Sequence, residues 1–344
     1  MRVLILGGSW FLGATIAEQA IRKGGAVSTF RRGRTGSEVA GVDSIRGDRT
    51  NADDVARLAA RGPWDLVVDT SSYVPNETLA LARALEPVVD RYLLISSVSA
   101  YERWPTEPLT EDSPTLDCPA DAGADYGYDG DPGPSQYGFG KAGCERAVLE
   151  TFGTARTAIL RPGVILGPRE YVGRLDWWLR RMQRGGRVLA PGRPDRRIQP
   201  VDVRDVADFA LVPGLSGMFN VTATPARETM ADLLGSCNEI TGNNADLEWV
   251  TDEHWLAEQG VRQWTELPLW RTYAGAWAVD SSRANAAGLV TRPLRDTVAD
   301  TWAWLQDGGA SVEHERSAEL GITADRERAI LGLWDAVQLD HCGA

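Results

Sequence analysis

Residues 3–13, Val3-Leu4-Ile5-Leu6-Gly7-Gly8-Ser9-Trp10-Phe11-Leu12-Gly13, run an apolar segment directly into a glycine turn and the start of a helix. Apolar residues in succession, with no polar alternation, read as a strand buried on both faces. A helical pattern follows over Gly13–Lys23, then a second apolar run over Ala26–Phe30. Helical periodicity returns at Ala52–Ala60 and Glu77–Leu85, with apolar runs at Leu66–Asp69 and Tyr92–Ser96 between and after them. A helix over Lys141–Phe152 and a strand over Thr157–Leu160 extend the series. This alternation predicts an α/β fold built on a doubly wound parallel sheet with helices on both faces.

From about Gly163 the rhythm weakens. Tryptophans recur at 177, 178, 249, 255, 264, 270 and 277, and helical patterns are confined to stretches near 228–239, 294–305 and 324–337. The expected organisation is a Rossmann-type domain over residues 1–163, with sheet returns near 198–221. A smaller, interleaved C-terminal substrate lobe would take up most of 164–344. Residues 105–135 interrupt the first half with Pro, Gly and eight acidic residues and no basic one. Such a stretch fits a solvated surface loop or a lid, since it separates two segments of chemical interest.

The 344 residues carry a net charge of -12, which argues against a nucleic-acid partner, because phosphate neutralisation needs a basic face. Cys118, Cys144, Cys237 and Cys342 have neither disulfide-framework nor metal-ligand spacing, so a reducing, cytoplasmic setting is expected. His254, His314 and His341 form no triad or metal pattern, and no metal is expected. The apolar start is broken by glycines and lacks a cleavage pattern, and no stretch is long and apolar enough to span a bilayer. The amphipathic segment 324–337 suits a homodimer contact or packing on its own domain.

Glycines at Gly7, Gly8 and Gly13 would let the backbone, together with Ser9, Trp10, Phe11 and Leu12, approach a pyrophosphate at the helix start. Tight strand–helix turns also need glycine for backbone reasons alone. Trp10 occupies the position normally held by a middle glycine. The second strand ends in Phe30-Arg31-Arg32-Gly33-Arg34 where an NAD site would place a carboxylate for the ribose hydroxyls. Arginine forks suit a phosphate dianion, so NADP is favoured over NAD, with a solvent-exposed basic turn as the alternative. Asp48, after the third strand, is a candidate acceptor for the adenine amino group.

Tyr137-Gly138-Phe139-Gly140-Lys141 places a phenol and an ammonium four residues apart on one helix face. A nearby ammonium favours the phenolate, and the phenol can then donate to a carbonyl or accept from an alcohol. Ser96, Ser97 and Ser99, in Leu94–Tyr101, stand at a strand end where open α/β sheets bind ligands. A hydroxyl there polarises a substrate oxygen or caps a turn. Tyr101, Trp104, Trp177 and Trp178 are aromatic candidates for core or pocket.

These segments together resemble the extended short-chain dehydrogenase/reductases, the NAD-dependent epimerase/dehydratase family. Arg161–Pro168, Val201–Ala207 and Arg292-Pro293-Leu294 with the tryptophan-bearing helix after it are similar too, so the resemblance spans about residues 1–305. It implies Ser97 as the hydroxyl that orients the substrate, Tyr137 as acid/base and Lys141 as the holder of the nicotinamide ribose. It also implies that Thr70, Ser71 and Ser72 line the cofactor cleft and that Pro162–Val164 pass near the nicotinamide. Arg196 matches a diphosphate-binding position of sugar-nucleotide members, and equally fits a surface ion pair. Val98-Ser99 stand where the family's 4,6-dehydratases carry Asp-Glu, so water elimination is poorly provided for. The expected reaction is alcohol/carbonyl interconversion on a small molecule, with sugar-nucleotide epimerisation second and a non-catalytic cofactor-sensing or RNA-binding relative third.

Overall fold

The computed structural model describes residues 1–33, 38–309 and 317–342, the last three without their side chains. Strands β1 (Arg2–Leu6), β2 (Ala26–Arg31), β3 (Asp43–Arg46), β4 (Trp64–Asp69), β5 (Val89–Ile95) and β6 (Thr157–Pro162) join a later strand, Gly217–Val221, in one seven-stranded sheet. Their order is Gly217–Val221, β6, β5, β4, β1, β2, β3, and every neighbouring pair is parallel. The expected doubly wound parallel sheet is therefore present. The order reverses between β1 and β4, where such sheets open a crevice at their C-terminal edge.

Four helices matter for the site: α1 (Phe11–Arg22), α2 (Ala52–Ala59), α3 (Pro75–Leu85) and α4 (Gln136–Phe152). Asn51 caps α2 by accepting from the amides of Asp53 and Asp54 at 3.0 and 3.1 Å. Helix α4 begins five residues before the expected Lys141. Ser135 caps it at 3.1 Å from the Gly138 amide, while glycines at 138 and 140 weaken the helical signal of that first turn. The core on one sheet face joins Leu4, Leu6, Leu58, Val67, Leu81, Tyr92, Leu94 and Val148.

The chain divides into two units, one of residues 1–165, 199–225 and 273–291, the other of 166–198, 226–272 and 292–344. In the second unit, Gly186–Pro191 pairs in parallel with Ala245–Val250. Trp178 is fully buried there, its indole N–H donating to the Pro268 carbonyl at 2.7 Å. That makes it a core residue of its unit.

The acidic stretch 105–135 is only partly a solvated loop. Leu109, Leu116, Cys118, Ala120 and Ala122 are buried, and Leu116 donates to the Ala100 carbonyl at 2.8 Å. Glu111 is buried and accepts from the Asn220 amide at 3.0 Å. Past Gly123 the stretch is mostly exposed, with Tyr126 and Tyr128 laid against Phe139 of α4 at 6.0 and 5.2 Å.

Candidate active site

The glycine turn after β1 is closely packed. Gly7 and Gly8 have φ of 103° and 87°, values that favour glycine. A Cβ on Gly13 would stand 2.7 Å from the Gly8 amide nitrogen, so helix α1 starts directly over the turn. Trp10 is the N-cap of α1, in extended conformation; its own side chain makes no capping bond, and the first turn carries no acid. Phe11 follows at a φ of 32°, a strained value for a residue with a side chain. Thr70 closes the turn from β4, its hydroxyl donating to the Leu6 carbonyl at 2.9 Å.

At the ends of β2 and β3 a different arrangement holds. Arg31 donates to Glu38 at 2.6 Å. Arg32 is exposed, and Arg46, in register with Arg31 across the strand pair, is exposed too. Arg34 lies outside the described residues. Asp48 accepts from the Thr50 amide at 3.0 Å, and its own amide donates to Asp54 at 2.7 Å.

Tyr137 and Lys141 meet at the ends of β4 and β5. Lys141 is almost wholly buried, and its ammonium donates to the carbonyls of Ser72 at 2.8 Å and Ile95 at 3.0 Å. The same nitrogen stands 5.7 Å from the Tyr137 ring centre and 4.6 Å from that of Tyr73. Tyr137 and Tyr73 are 45% and 55% exposed, so the phenol opens to solvent while the ammonium beside it does not. Close backbone approach makes this possible. A Cβ on Gly140 would fall 2.4 Å from the Tyr73 carbonyl oxygen, and one on Gly138 would fall 2.3 Å from that of Ser99. The glycines in Tyr-Gly-Phe-Gly-Lys let α4 lie against both loops.

Ser97 caps the short turn Val98–Ala100, its hydroxyl accepting from the Ser99 amide at 3.1 Å. It keeps about a tenth of its surface open (9%). Three expectations change. Ser96 turns inward and donates to Glu145 at 2.5 Å. Ser72 is fully buried with its hydroxyl on Asp69, and it serves the site through its carbonyl instead. Tyr101 is fully buried, donating to Asn220 at 2.7 Å and accepting from Arg161 at 2.9 Å. Burial raises its phenol pKa despite Arg161, and the role it fills is structural. Arg161 also grips Glu145 at 2.6 Å, tying β6 to α4.

Pro162 is buried at the end of β6, and the Val164 carbonyl accepts from Val201 at 2.9 Å. Arg196, in the second unit, is ion-paired with Glu253, which also accepts from the Trp270 indole at 2.9 Å. Sequence reading passed over Arg49, Asp69 and Tyr92. Asp69 is wholly buried at the end of β4, holding Arg49 at 3.0 Å and the Tyr92 hydroxyl at 2.6 Å. Burial would raise this carboxyl, but the Arg49 charge and the bonds from Arg49, Ser72 and Tyr92 bring it down to about 2. An aspartate closing the apolar run Leu66-Val67-Val68 was the available signal.

The NAD dependent epimerase/dehydratase family matches residues 3–212. The chain belongs to that family. Among curated relatives, the chain is 26% identical over 221 residues to the chloroplast stem-loop binding protein of 41 kDa b from Arabidopsis thaliana. It is 27% identical over 168 residues to 2'-dehydrokanamycin reductase from Streptomyces kanamyceticus. These matches take in 60% and 48% of this chain, but only 53% and 43% of the relatives' own lengths. The fold is similar to that of WbmG from Bordetella bronchiseptica, solved with NAD and UDP, at a TM-score of 0.64 and 20% identity over 90% of this chain and 96% of that one. Among the described residues, no helix is long and apolar enough to cross a membrane and no cluster of metal-ligating side chains occurs.

Proposed function

We propose that the chain is an NADP-dependent oxidoreductase that interconverts an alcohol and a carbonyl on a small molecule. The observation that carries this reading is the buried Lys141 ammonium, fixed by two carbonyls, beside the solvent-open Tyr137 phenol. The residues suit a dinucleotide: a glycine turn overlain by the start of α1, at the sheet's switch point. Gly7, Ser9–Gly13, Thr70 and Ser71 would hold its phosphates and ribose, with Arg31 and Arg32 at the 2'-phosphate. A bound nicotinamide supplies the hydride acceptor or donor. Lys141 has three N–H donors and commits two to the protein, which leaves one for a ribose hydroxyl. Tyr137 moves the proton at the substrate oxygen, and Ser97 orients that oxygen. A curated relative named as a reductase supports this choice over epimerisation.

The second reading, a sugar-nucleotide epimerase, is favoured by the fold neighbour solved with UDP. It would need the diphosphate to displace Glu253 from Arg196, and it predicts cofactor that co-purifies with the chain and no net redox change. An RNA-binding role, suggested by the chloroplast relative's name, is disfavoured by the net charge of -12. The deciding experiment is calorimetry of NADPH and NADH on the wild type and on Arg31→Ala plus Arg32→Ala. Preference for NADPH that collapses in the double variant supports the proposal. Equal or stronger NADH binding, untouched by the substitutions, moves the epimerase to first place.

A further inference from the structure

The Arg49–Asp69 pair is bonded on every side. The guanidinium donates to the two Asp69 oxygens at 3.2 and 3.0 Å, and also to the hydroxyls of Ser71 at 3.0 Å and Ser72 at 3.1 Å. Asp69 further accepts from the Ser71 amide at 2.9 Å, from Tyr92 at 2.6 Å and from the Ser72 hydroxyl. Stability alone does not account for such an arrangement. A buried ion pair often does no better than apolar residues of the same volume, and the neighbouring core is apolar. What the bonds achieve is to fix the backbone of Ser71 and Ser72. The Ser72 carbonyl is one of the two that hold the Lys141 ammonium.

We propose that Arg49 and Asp69 are positioning residues that act through Ser72 to set the Lys141 ammonium beside Tyr137. The proposal rests on the reading of Tyr137 and Lys141 as the acid/base pair. Tilting the Ser72 peptide would release the ammonium toward the Ile95 carbonyl alone, and would shift Tyr73, whose ring borders the same nitrogen at 4.6 Å. Neither Arg49 nor Asp69 then needs to touch substrate or cofactor.

The test reads Tyr137 directly and needs no substrate. Phenolate absorbance is titrated in the full chain, and a Tyr137→Phe background is subtracted for each variant. The variants are Asp69→Asn, Arg49→Lys, Tyr92→Phe and, as reference, Lys141→Met, each checked for native near-ultraviolet dichroism. Removing a nearby negative charge would by itself lower the Tyr137 midpoint. The brace predicts the opposite: Asp69→Asn raises it by about one unit, a tenfold loss of phenolate at a given pH. Arg49→Lys, which keeps the charge but loses the fork, moves it part of the way. Tyr92→Phe removes one bond from Asp69 and serves if Asp69→Asn does not fold, with a smaller rise expected. A Tyr137 midpoint that stays put or falls in the folded variants, while Lys141→Met raises it, overturns the brace alone. A midpoint unmoved by Lys141→Met overturns the acid/base pairing, and the brace with it.

Discussion

The strand ends at β4–β5 and those at β2–β3 border the same edge of one sheet, yet they hold their charges in opposite ways. At β4–β5, Asp69 and Lys141 are buried, Arg49 keeps 14% of its side chain exposed, and all three are bonded to named partners at 2.6–3.2 Å. At β2–β3, Arg32 and Arg46 are exposed, and Arg31, its side chain 8% exposed, pairs with an acid that is 52% exposed. Buried charges must be paired and oriented, so a change of residue type there is felt at once. Exposed arginines are screened and interchangeable, which suits recognition of a ligand's charge rather than control of a proton. The β4–β5 end is held by the protein's own bonds, whereas the β2–β3 end presents Arg32 and Arg46 to solvent.

The largest expected effect tests the first half of that contrast. Tyr137→Phe should lower turnover about a thousandfold, the usual reach of a positioned acid/base group, while calorimetry finds cofactor affinity nearly unchanged. A comparable loss of affinity would mean that the phenol holds ligand rather than moves a proton. Next, Asp69→Asn should destabilise the fold by about 3 kcal/mol in denaturant titrations, because it leaves Arg49 buried without its counter-charge. The sign with pH follows from the depressed carboxyl. Its contribution is complete above the ordinary carboxylate value of about 4 and is lost as pH falls through about 2. The gap between wild type and variant should therefore narrow over that window and stay constant above it.

At the other end, Arg31→Ala plus Arg32→Ala should weaken NADPH binding by about 2 kcal/mol, roughly thirtyfold, with a stability loss well below that of Asp69→Asn, because the acid that Arg31 meets is half exposed. A large stability loss would make the two ends alike. The smallest effect is expected from Gly140→Ala. The new methyl would press on the Tyr73 carbonyl from 2.4 Å, costing about 2 kcal/mol by overpacking, against which helix propensity returns about 1 kcal/mol. Its interest lies in turnover, which should fall more than stability does because the displaced loop carries Ser72 and Tyr73.

The parallel sheet was legible because its strands are buried on both faces and read as unbroken apolar runs. That Tyr137 and Lys141 lie one helical turn apart on α4 was legible from their spacing. What escaped notice was side-chain direction. Ser96 and Ser97 are neighbours, yet one hydroxyl turns inward to Glu145 and the other caps the short turn Val98–Ala100. Tyr101 looked like a pocket residue until its partners Asn220 and Arg161, 119 and 60 residues away in sequence, were visible. Arg49 was hidden for the same reason, since its partner lies 20 residues on. Local pattern carries the backbone, and long-range hydrogen bonds decide which polar side chains remain available.

Lysine occurs only twice in the chain, at Lys23 and Lys141, and the two differ sharply in access. Lys23 sits at the end of α1 with its side chain 54% exposed, held by a single contact to Asp208 at 3.1 Å, whereas Lys141 is 3% exposed. Between the two lysines, amine-directed acylation in native buffer should therefore attach a dye or a resin at Lys23 and spare Lys141. The protein arrives with a ready-made handle for oriented immobilisation, and no residue has to be engineered to obtain it.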